Sequence, residues 1–408
     1  MSCKGLQFPI ENLSKRIDND KYFSTTQMQK MSEKIESFFL SMNLPVKVID
    51  AKFNNIAIVF TLDYKETEGK TPIRIEKRLQ EIKKLQKDIE LCLCSPVEIA
   101  GDAYTIRLAV KSFTRRSVLL SDLFQSGNFL TSDSPLTIAG GVNISGGQFL
   151  FNLEELGNLL VVGVTGSGKS TFLNDIILSV LAKATPEQAQ FVLMDFKGVE
   201  LQHFEGIPHM YYEHTIKQPD QALKILDDLQ KISRDREMML SGKSIYRFSD
   251  YPQSNSNLPR ILIVIDEFIE LYQKLLDIYS IKEANRLWKE VLTNLEKISA
   301  KTVQTGIHLV LVAQTPVAYE PDEKKDQNHE WDIIDALRFV RNRACLVATS
   351  QEELKRIVNT TFTDRLLGEG DMYFYKGFED RGTHIQTAKV EPEDVDNVVK
   401  FIREKYSF

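Results

Sequence analysis

Residues 158–171 read NLLVVGVTGSGKST, an apolar stretch that runs into a glycine-rich turn. Gly163 to Ser170 fits the pattern G-x-x-x-x-G-K-[ST], with a predicted strand before it and a predicted helix after it. Glycines let the backbone approach phosphate groups, and successive N–H groups at the start of the helix hold negative charge. The alternative is a glycine-rich turn with an exposed lysine. In this strand–turn–helix context the pattern predicts a nucleotide-binding loop.

The polar positions of this loop have predicted roles. Lys169 is expected to contact the β- and γ-phosphates of ATP, and the hydroxyl group of Ser170 to ligate Mg²⁺. The residues predicted to bind the nucleotide are Thr165, Gly166, Ser167, Gly168, Lys169, Ser170 and Thr171. ATP and Mg²⁺ are therefore the expected cofactors.

A pair of acidic residues follows another apolar strand, in RILIVIDEF at residues 260–268. Asp266 has the position of a carboxylate that holds the magnesium ion, and Glu267 that of a base that activates the attacking water. Two acids at a strand end can also serve only to cap the next helix. The nucleotide-binding loop upstream favours the catalytic interpretation.

The apolar strand in TGIHLVLVAQTP, residues 305–316, ends on the polar Gln314. One further strand, QFVLMDF, lies between the nucleotide loop and the acidic pair, and a glutamate follows the aspartate. This order is that of RecA-like ATPases, in which the next strand lies against the strand of the phosphate-binding loop. Gln314 is therefore expected beside the γ-phosphate as a sensor of phosphate or water, the alternative being a residue that only caps the sheet.

The order of the predicted elements indicates two domains and a connection. Residues 1–112 read as a small α+β domain with helices at residues 24–42 and 73–93, residues 113–157 as connecting strands, and residues 158–408 as the ATPase domain. Strands and helices alternate in the last part, and its strands are almost wholly apolar. The predicted fold class is α/β, a RecA-like P-loop core with a mostly parallel sheet, preceded by the small α+β domain.

Composition excludes several classes of protein. The chain has 408 residues and a net charge of −6, so it lacks the bulk basicity of a histone-like DNA binder. Its four cysteines form neither a disulfide framework nor a zinc pattern, which indicates a reducing environment. No apolar run approaches the roughly 18 residues that span a bilayer. We therefore expect a cytoplasmic protein without membrane insertion.

Several stretches together resemble the motor of the FtsK/SpoIIIE family of DNA translocases. In chain order they are NLLVVGVTGSGKST, FVLMDFKGVELQHFEGIPHM, LPRILIVIDEFIELY, TGIHLVLVAQTP and LLGEGDMYF. Residues 31–155 are similar to the alpha domain of that family, so the resemblance covers roughly residues 31–376. Asp195 and Lys197 match an Asp-x-Lys segment beside the nucleotide site of the family. The resemblance implies a homohexameric ring that threads double-stranded DNA through its channel by ATP hydrolysis.

The chain departs from the family at an arginine that is usually offered to the γ-phosphate bound by the neighbouring subunit. Three residues before Gly-Ile-His, where the family usually has this arginine, the chain has Val303. Such arginines contribute up to ~10³–10⁵ to the rate in related NTPases. Arg343 and Arg341 are the candidates to replace it, and Arg338 lies close to them in the sequence. The rate of hydrolysis therefore stays open.

The DNA-facing positions of the family are altered as well. Thr315 replaces the arginine of a Gln-Arg-Pro segment, and Gln351 replaces one of two basic positions. The second basic position is kept as Lys355, and Arg356 adds a charge beside it, so these two are the predicted DNA contacts. Each lost phosphate contact is expected to lower affinity and to flatten its salt dependence.

Three functional hypotheses follow from this comparison. The first is an ATP-driven motor on double-stranded DNA, expected in a mobile element, plasmid transfer or a defence system, because neither a membrane segment nor a winged-helix module is visible. The second is a ring ATPase that acts on protein partners in secretion or assembly, which Thr315 and Gln351 favour. The third is a nucleotide-binding scaffold with little turnover, which Val303 permits although Lys169 and Glu267 are retained.

Overall fold

The structure is a computed structural model that describes residues 6–15, 25–53, 57–64, 72–95, 97–101, 105–111, 117–251, 258–314, 337–347, 357, 366–377 and 382–407. The chain forms two compact units. The larger one comprises Met1–Lys15, Leu119–Gly141 and Leu150–Phe408, and the smaller one comprises Arg16–Val118 and Val142–Phe149. Each unit has its own hydrophobic core.

The smaller unit is an antiparallel sheet covered by helices. Its elements are α1 (Thr25–Ser41), β1 (Val46–Phe53), β2 (Ala57–Tyr64), α2 (Pro72–Lys84), α3 (Gln86–Leu93), β3 (Val97–Gly101) and β4 (Ile106–Lys111). The four strands lie in the order β1-β2-β4-β3, and every pair is antiparallel. Alternate residues such as Phe60 and Leu108 are buried against Phe39 of α1 and its neighbours. This core is what the period-2 apolar pattern of these strands predicts.

One predicted helix of this unit is divided in the structure. A single helix was expected over residues 73–93, but Leu85 leaves the helical conformation (φ −91°, ψ 5°) between α2 and α3. The side-chain amide of Gln86 donates to the carbonyl oxygen of Val97 at 2.8 Å, and Glu90 accepts from the amide of Val97 at 3.1 Å. These bonds attach α3 to the start of β3, and helical periodicity does not predict such contacts between elements.

The larger unit contains most of the chain. Its elements are α4 (Leu120–Phe124), α5 (Gly127–Thr131), β5 (Thr137–Asn143), β6 (Gln148–Asn152), α6 (Leu153–Leu156), β7 (Asn158–Gly163), α7 (Lys169–Lys183), β8 (Ala189–Asp195), α8 (Pro219–Ser241), β9 (Arg260–Asp266), α9 (Phe268–Ile278), α10 (Ile281–Ser299), α11 (Thr302–Thr305), β10 (Ile307–Gln314), β11 (Arg343–Cys345), β12 (Asp371–Tyr375), β13 (Thr383–Gln386) and α12 (Pro392–Tyr406). Among the described residues, no helix is both long and apolar enough to cross a bilayer.

The sheet of the larger unit is mixed. Its strand order is β6-β5-β13-β12-β11-β7-β10-β9-β8. The run from β11 to β8 is parallel, whereas β12 pairs antiparallel with both β11 and β13. The α/β class is confirmed, and the expectation of a mostly parallel sheet holds for these five strands only. Every residue of β7 and β9 is buried, as expected for parallel strands covered on both faces.

The order of the parallel strands brings the functional motifs to one edge. β10 lies between β7 and β9, with Gln314 opposite Gly163, so the predicted pairing of this strand with the strand of the nucleotide loop is confirmed. Asp195 at the end of β8 lies opposite Asp266 at the end of β9. The carboxyl ends of neighbouring parallel strands meet at one edge of a sheet, which is where ligands bind in such folds.

Helices α9 and α10 pack on this sheet. The buried ring of Trp288 in α10 lies 4.8 Å from the ring of Phe268 and 5.3 Å from that of Tyr272, centroid to centroid. Val291 and Leu295 extend the same buried face towards the sheet. Trp288 is therefore a packing residue that holds the start of α9, directly after the acidic pair.

Candidate functional site

The nucleotide-binding loop connects β7 to α7 and is built on glycines at two positions. Gly166 and Gly168 have φ angles of +76° and +105°, a region that residues with a side chain rarely adopt. A Cβ atom on Gly168 would lie 2.6 Å from the amide nitrogen of Gly370. Gly168 also precedes α7 and has no side chain to cap its first amides. The loop therefore presents backbone N–H groups at a helix N-terminus, the arrangement that binds phosphate.

Lys169 is folded back onto its own loop. Its buried ammonium group donates to the carbonyl oxygens of Gly163 at 2.9 Å and Val164 at 3.1 Å. Burial lowers the pKa of Lys169, while Glu267 and Asp266 oppose that shift. Its partners are neutral carbonyl groups, so a phosphate group that enters the loop can replace them with a stronger, charge-assisted interaction.

Asp266 and Glu267 lie at the end of β9, where Asp266 has a raised pKa and Glu267 an uncommon backbone conformation. The pKa of Asp266 is raised to about 7 by burial first, and then by the negative charges of Glu267 and Asp195. Glu267 has a φ of +47° and precedes α9. Non-glycine residues in this conformation are uncommon, and they concentrate at functional sites. The raised pKa shows that the nearby cations do not offset the burial of Asp266 and the neighbouring negative charges, which is typical of a functional site.

These groups fit a magnesium ion of the kind bound with a nucleotide. Asp266 supplies a carboxylate that is short of a counter-charge, and Ser170 supplies a half-buried hydroxyl in the first turn of α7. In the described part of the chain, no group of three or more His, Cys, Asp or Glu residues could hold a metal by itself. Mg²⁺ is commonly held by one or two protein oxygens together with phosphates and water. The donor set fits that arrangement.

The segment after β8 lies beside the acidic pair. The buried carboxylate of Asp195 accepts hydrogen bonds from the amides of Lys197, Gly198, Glu200 and Leu201 at 2.8 to 3.1 Å. The ammonium group of Lys197 lies 3.6 Å from a carboxylate oxygen of Glu267 and 3.5 Å from one of Glu270. The Asp-x-Lys segment that the family resemblance places near the nucleotide thus contacts the predicted base directly.

Gln314 reaches the nucleotide-binding loop from the next strand. Its side-chain amide donates to the hydroxyl oxygen of Thr165 at 2.7 Å. This contact joins the polar end of β10 to the loop whose backbone would surround the phosphates. The position suits a sensor of phosphate or water better than a residue that only caps the sheet, and that role stays a prediction.

A second turn, which sequence reasoning left without a role, packs against the nucleotide-binding loop. The amide of Gly370 donates to the carbonyl oxygen of Ser167 at 2.9 Å. Asp371 accepts from the amide of Leu367 at 2.7 Å and forms a buried pair with His384 at 2.6 Å. The signal in the sequence is Gly-Glu-Gly-Asp before an apolar strand, in which Gly368, Glu369 and Gly370 all adopt positive φ angles.

The candidates for the trans arginine differ in accessibility. Arg343 lies in β11 with only 2% of its surface exposed, and its guanidinium group donates to the carbonyl oxygen of Val340 at 3.3 to 3.4 Å. Placed like this, it cannot reach another subunit without leaving the core. Arg341 is exposed, and its backbone amide donates to the side-chain oxygen of Asn158 at 3.3 Å.

The other positions at which the chain departs from the family are divided between the described and undescribed parts of the chain. Val303 lies in α11, and its basic neighbour Lys301 forms an ion pair with Glu237 of α8. Lys301 is therefore engaged within the chain. The predicted DNA contacts Lys355 and Arg356 lie outside the described residues, as do Thr315 and Gln351.

Comparison with known proteins confirms the family resemblance. Residues 119–256 match the model of the FtsK/SpoIIIE family. The DNA translocase FtsK of Caldanaerobacter subterraneus subsp. tengcongensis is 27% identical over 98% of this chain, and the DNA translocase SftA of Bacillus subtilis is 29% identical over 83%. The chain spans 52% and 35% of the lengths of these two relatives.

A solved structure shows the same fold. The monomer form of the pCW3 conjugation coupling protein TcpA, determined with ATPγS, superposes with a TM-score of 0.56 at 18% identity. The match covers 91% of this chain and 99% of that protein. The predicted P-loop α/β fold is therefore confirmed, with the mixed sheet as its correction.

Proposed function

We propose that this chain is an ATP-driven translocase of double-stranded DNA that works as a homohexameric ring in the cytoplasm. One observation carries the proposal. The ends of β7, β9 and β10 bring Lys169, Glu267 and Gln314 to one edge of the sheet, in a chain similar over almost its whole length to DNA translocases. The altered DNA-facing positions favour a mobile element or a defence system as its setting.

Different residues of the site would bind the phosphates, activate the attacking water and hold the metal ion. The amides of residues 165–171 and the ammonium group of Lys169 would hold the phosphates, once Lys169 leaves the carbonyl oxygens that it now contacts. Glu267 would orient the attacking water and take its proton, and Gln314 would report the state of the γ-phosphate to β10. Ser170 and Asp266 would hold Mg²⁺, which supplies charge neutralisation at the β- and γ-phosphates.

Two features connect this site to a ring and to DNA. The exposed side chain of Arg341 can be offered to the nucleotide of a neighbouring subunit, so we assign it the role that Val303 cannot fill. Lys355 and Arg356 are the residues that we assign to DNA phosphate contacts. The second candidate function, a ring ATPase that acts on a protein, is favoured by Thr315 and Gln351, where basic DNA contacts are missing.

The test is ATP hydrolysis by the purified chain with and without linear duplex DNA. Lys169→Ala is expected to abolish nucleotide binding, and Glu267→Gln to preserve binding while turnover falls at least ~10²-fold. Glu290→Gln is the matched control, because this exposed glutamate forms an ion pair with Arg286 on the surface of α10, away from the nucleotide site. Stimulation by duplex DNA, together with displacement of a third strand from the duplex, would support the motor. A rate of ATP hydrolysis that does not change when DNA is added would favour a protein substrate, and the absence of hydrolysis would refute the ATPase proposal.

The ring is tested separately by particle mass. The Glu267→Gln variant should form a hexamer when it holds ATP, because hydrolysis no longer dissociates the assembly. Arg341→Ala should retain nucleotide binding and lose turnover by ~10³-fold, if it is the trans cation. A chain that stays monomeric with ATP and DNA would exclude the ring.

A further inference from the structure

Lys197 occupies a defined position beside the predicted general base. It lies two residues after the end of β8, and its ammonium group stands 3.6 Å from Glu267 and 3.5 Å from Glu270. Within the described part of the chain, no other cation forms an ion pair with Glu267. The Glu267 side chain is mostly buried, with 14% of its surface exposed, so this contact is less screened than a surface pair.

The backbone of Lys197 is positioned by hydrogen bonds to the buried Asp195. Asp195 is fully buried, and its carboxylate accepts hydrogen bonds from four backbone amides of the following segment. These amides belong to Lys197, Gly198, Glu200 and Leu201, so the segment folds around the carboxylate. Gly198 adopts a φ of +73° within that turn. Charge-assisted hydrogen bonds of this kind are stronger than hydrogen bonds between neutral groups. The Lys197 side chain is 41% exposed, while its backbone amide donates to the buried carboxylate of Asp195.

Glu267 needs such a partner. Its left-handed backbone lies outside the regular geometry of both β9 and α9, and the ion pair with Lys197 is the contact that orients its carboxylate. Lys169 and Lys197 also differ in their partners. Among the described residues, the ammonium group of Lys169 donates to two neutral carbonyl groups, whereas that of Lys197 is shared by two carboxylates. The cation that is ready to move to a phosphate is Lys169, and the one committed to the acidic residues is Lys197.

We propose that Lys197 is a positioning residue for ATP hydrolysis, which holds the Glu267 carboxylate where it can activate the attacking water. This inference rests on the proposed function. In that step a proton of water passes to Glu267, and the water oxygen forms a bond to the γ-phosphorus. The bond from that phosphorus to the bridging oxygen breaks, which releases ADP and phosphate. Lys197 takes part in none of these bond changes; it fixes the base.

The first test separates positioning from binding. Lys197→Met is expected to lower kcat at least about tenfold while KM for ATP changes by less than about twofold, because misplacement of a catalytic group affects the transition state. Lys197→Arg should recover to within about threefold of the wild type. Lys231→Met is the matched control, since that lysine is also shared by two carboxylates, on the surface of α8, and it should change neither constant. A large rise in KM would overturn the inference and make Lys197 a phosphate ligand.

A double variant shows whether Lys197 acts through Glu267. In single turnover, Lys197→Met should change the residual rate of Glu267→Gln by less than about twofold, because the group that it positions is already gone. Two independent losses that multiply would contradict the proposal. Wild-type turnover with an unaffected Lys197→Met variant would overturn this inference alone. A wild-type protein that binds but does not hydrolyse ATP would overturn the proposed function and this inference with it.

Discussion

Replacement of Asp266 by asparagine is expected to stabilise the protein while it impairs hydrolysis. Burial, Glu267 and Asp195 raise the pKa of this carboxyl group from 3.8 to about 7. The folded protein therefore binds more protons than the unfolded chain between about pH 4 and pH 7, and stability falls as the pH rises through that window. At about 1.4 kcal/mol for each pH unit, the ionised carboxyl costs about 4 kcal/mol above pH 7 and nothing below about pH 4.

The measurement is urea unfolding at pH 5 and pH 8. The advantage of Asp266→Asn over the wild type should be about 3 kcal/mol larger at pH 8 than at pH 5. A Trp331→Phe background leaves Trp288, which is buried against α9, as the fluorescent probe of the unit that holds β9. Asp277→Asn, an exposed position on α9, is the control. If the variant gains the same free energy of unfolding at both pH values, the electrostatic reasoning is refuted. A variant that is less stable than the wild type at pH 8 would show that the ionised carboxylate stabilises the fold.

Three further predictions concern other residues of the candidate nucleotide site. Gln314→Ala removes the contact with Thr165 and should lower kcat about tenfold with little change in nucleotide affinity; unchanged steady-state kinetics would reduce Gln314 to a capping residue. Asp195→Asn replaces one carboxylate oxygen by an NH2 group and so takes the acceptor from two of the four amides; hydrogen exchange of the segment after β8 should accelerate about 10- to 100-fold, and unaltered exchange would show that these bonds do not hold the segment. Gly168→Ala should abolish ATP binding in equilibrium titration, because its Cβ meets the backbone of Gly370; retained affinity would show that the turn can move aside.

The parallel strands could be predicted from the sequence because their environment is uniform. β7, β9 and β10 are buried on both faces, and each reads as an apolar run, which ends on a polar residue in β9 and β10 and on Gly163 in β7. The glycine pattern before Lys169 is specific because only glycine tolerates the backbone at Gly166 and Gly168. Fold class and strand pairing near the nucleotide loop followed from these local signals, while the catalytic roles of the residues stay predictions.

The features that sequence reasoning missed depend on contacts between different elements. The break at Leu85 accompanies hydrogen bonds between α3 and β3, and no local breaker residue marks it. The antiparallel pairing of β12 with β11 leaves no signature, because both strands are short and largely buried. The pairing of Lys197 with Glu267 joins positions 70 residues apart through a turn around Asp195. Spacing alone could place these groups near the nucleotide but could not show which carboxylate the lysine meets.

The turn around Gly370 sets a limit on how the chain can be shortened for laboratory work. A fragment that ends after β10 would keep every residue of the nucleotide motifs, yet it would lose the turn that bonds to Ser167. The Gly370 turn is itself held by Asp371 with its partner His384. It is also held by the amide of Thr387, which donates to the carbonyl oxygen of Gly370 at 2.9 Å. The shortest fragment useful for crystallography or ligand titration therefore extends through Thr387, just after β13 and well past the last recognisable motif.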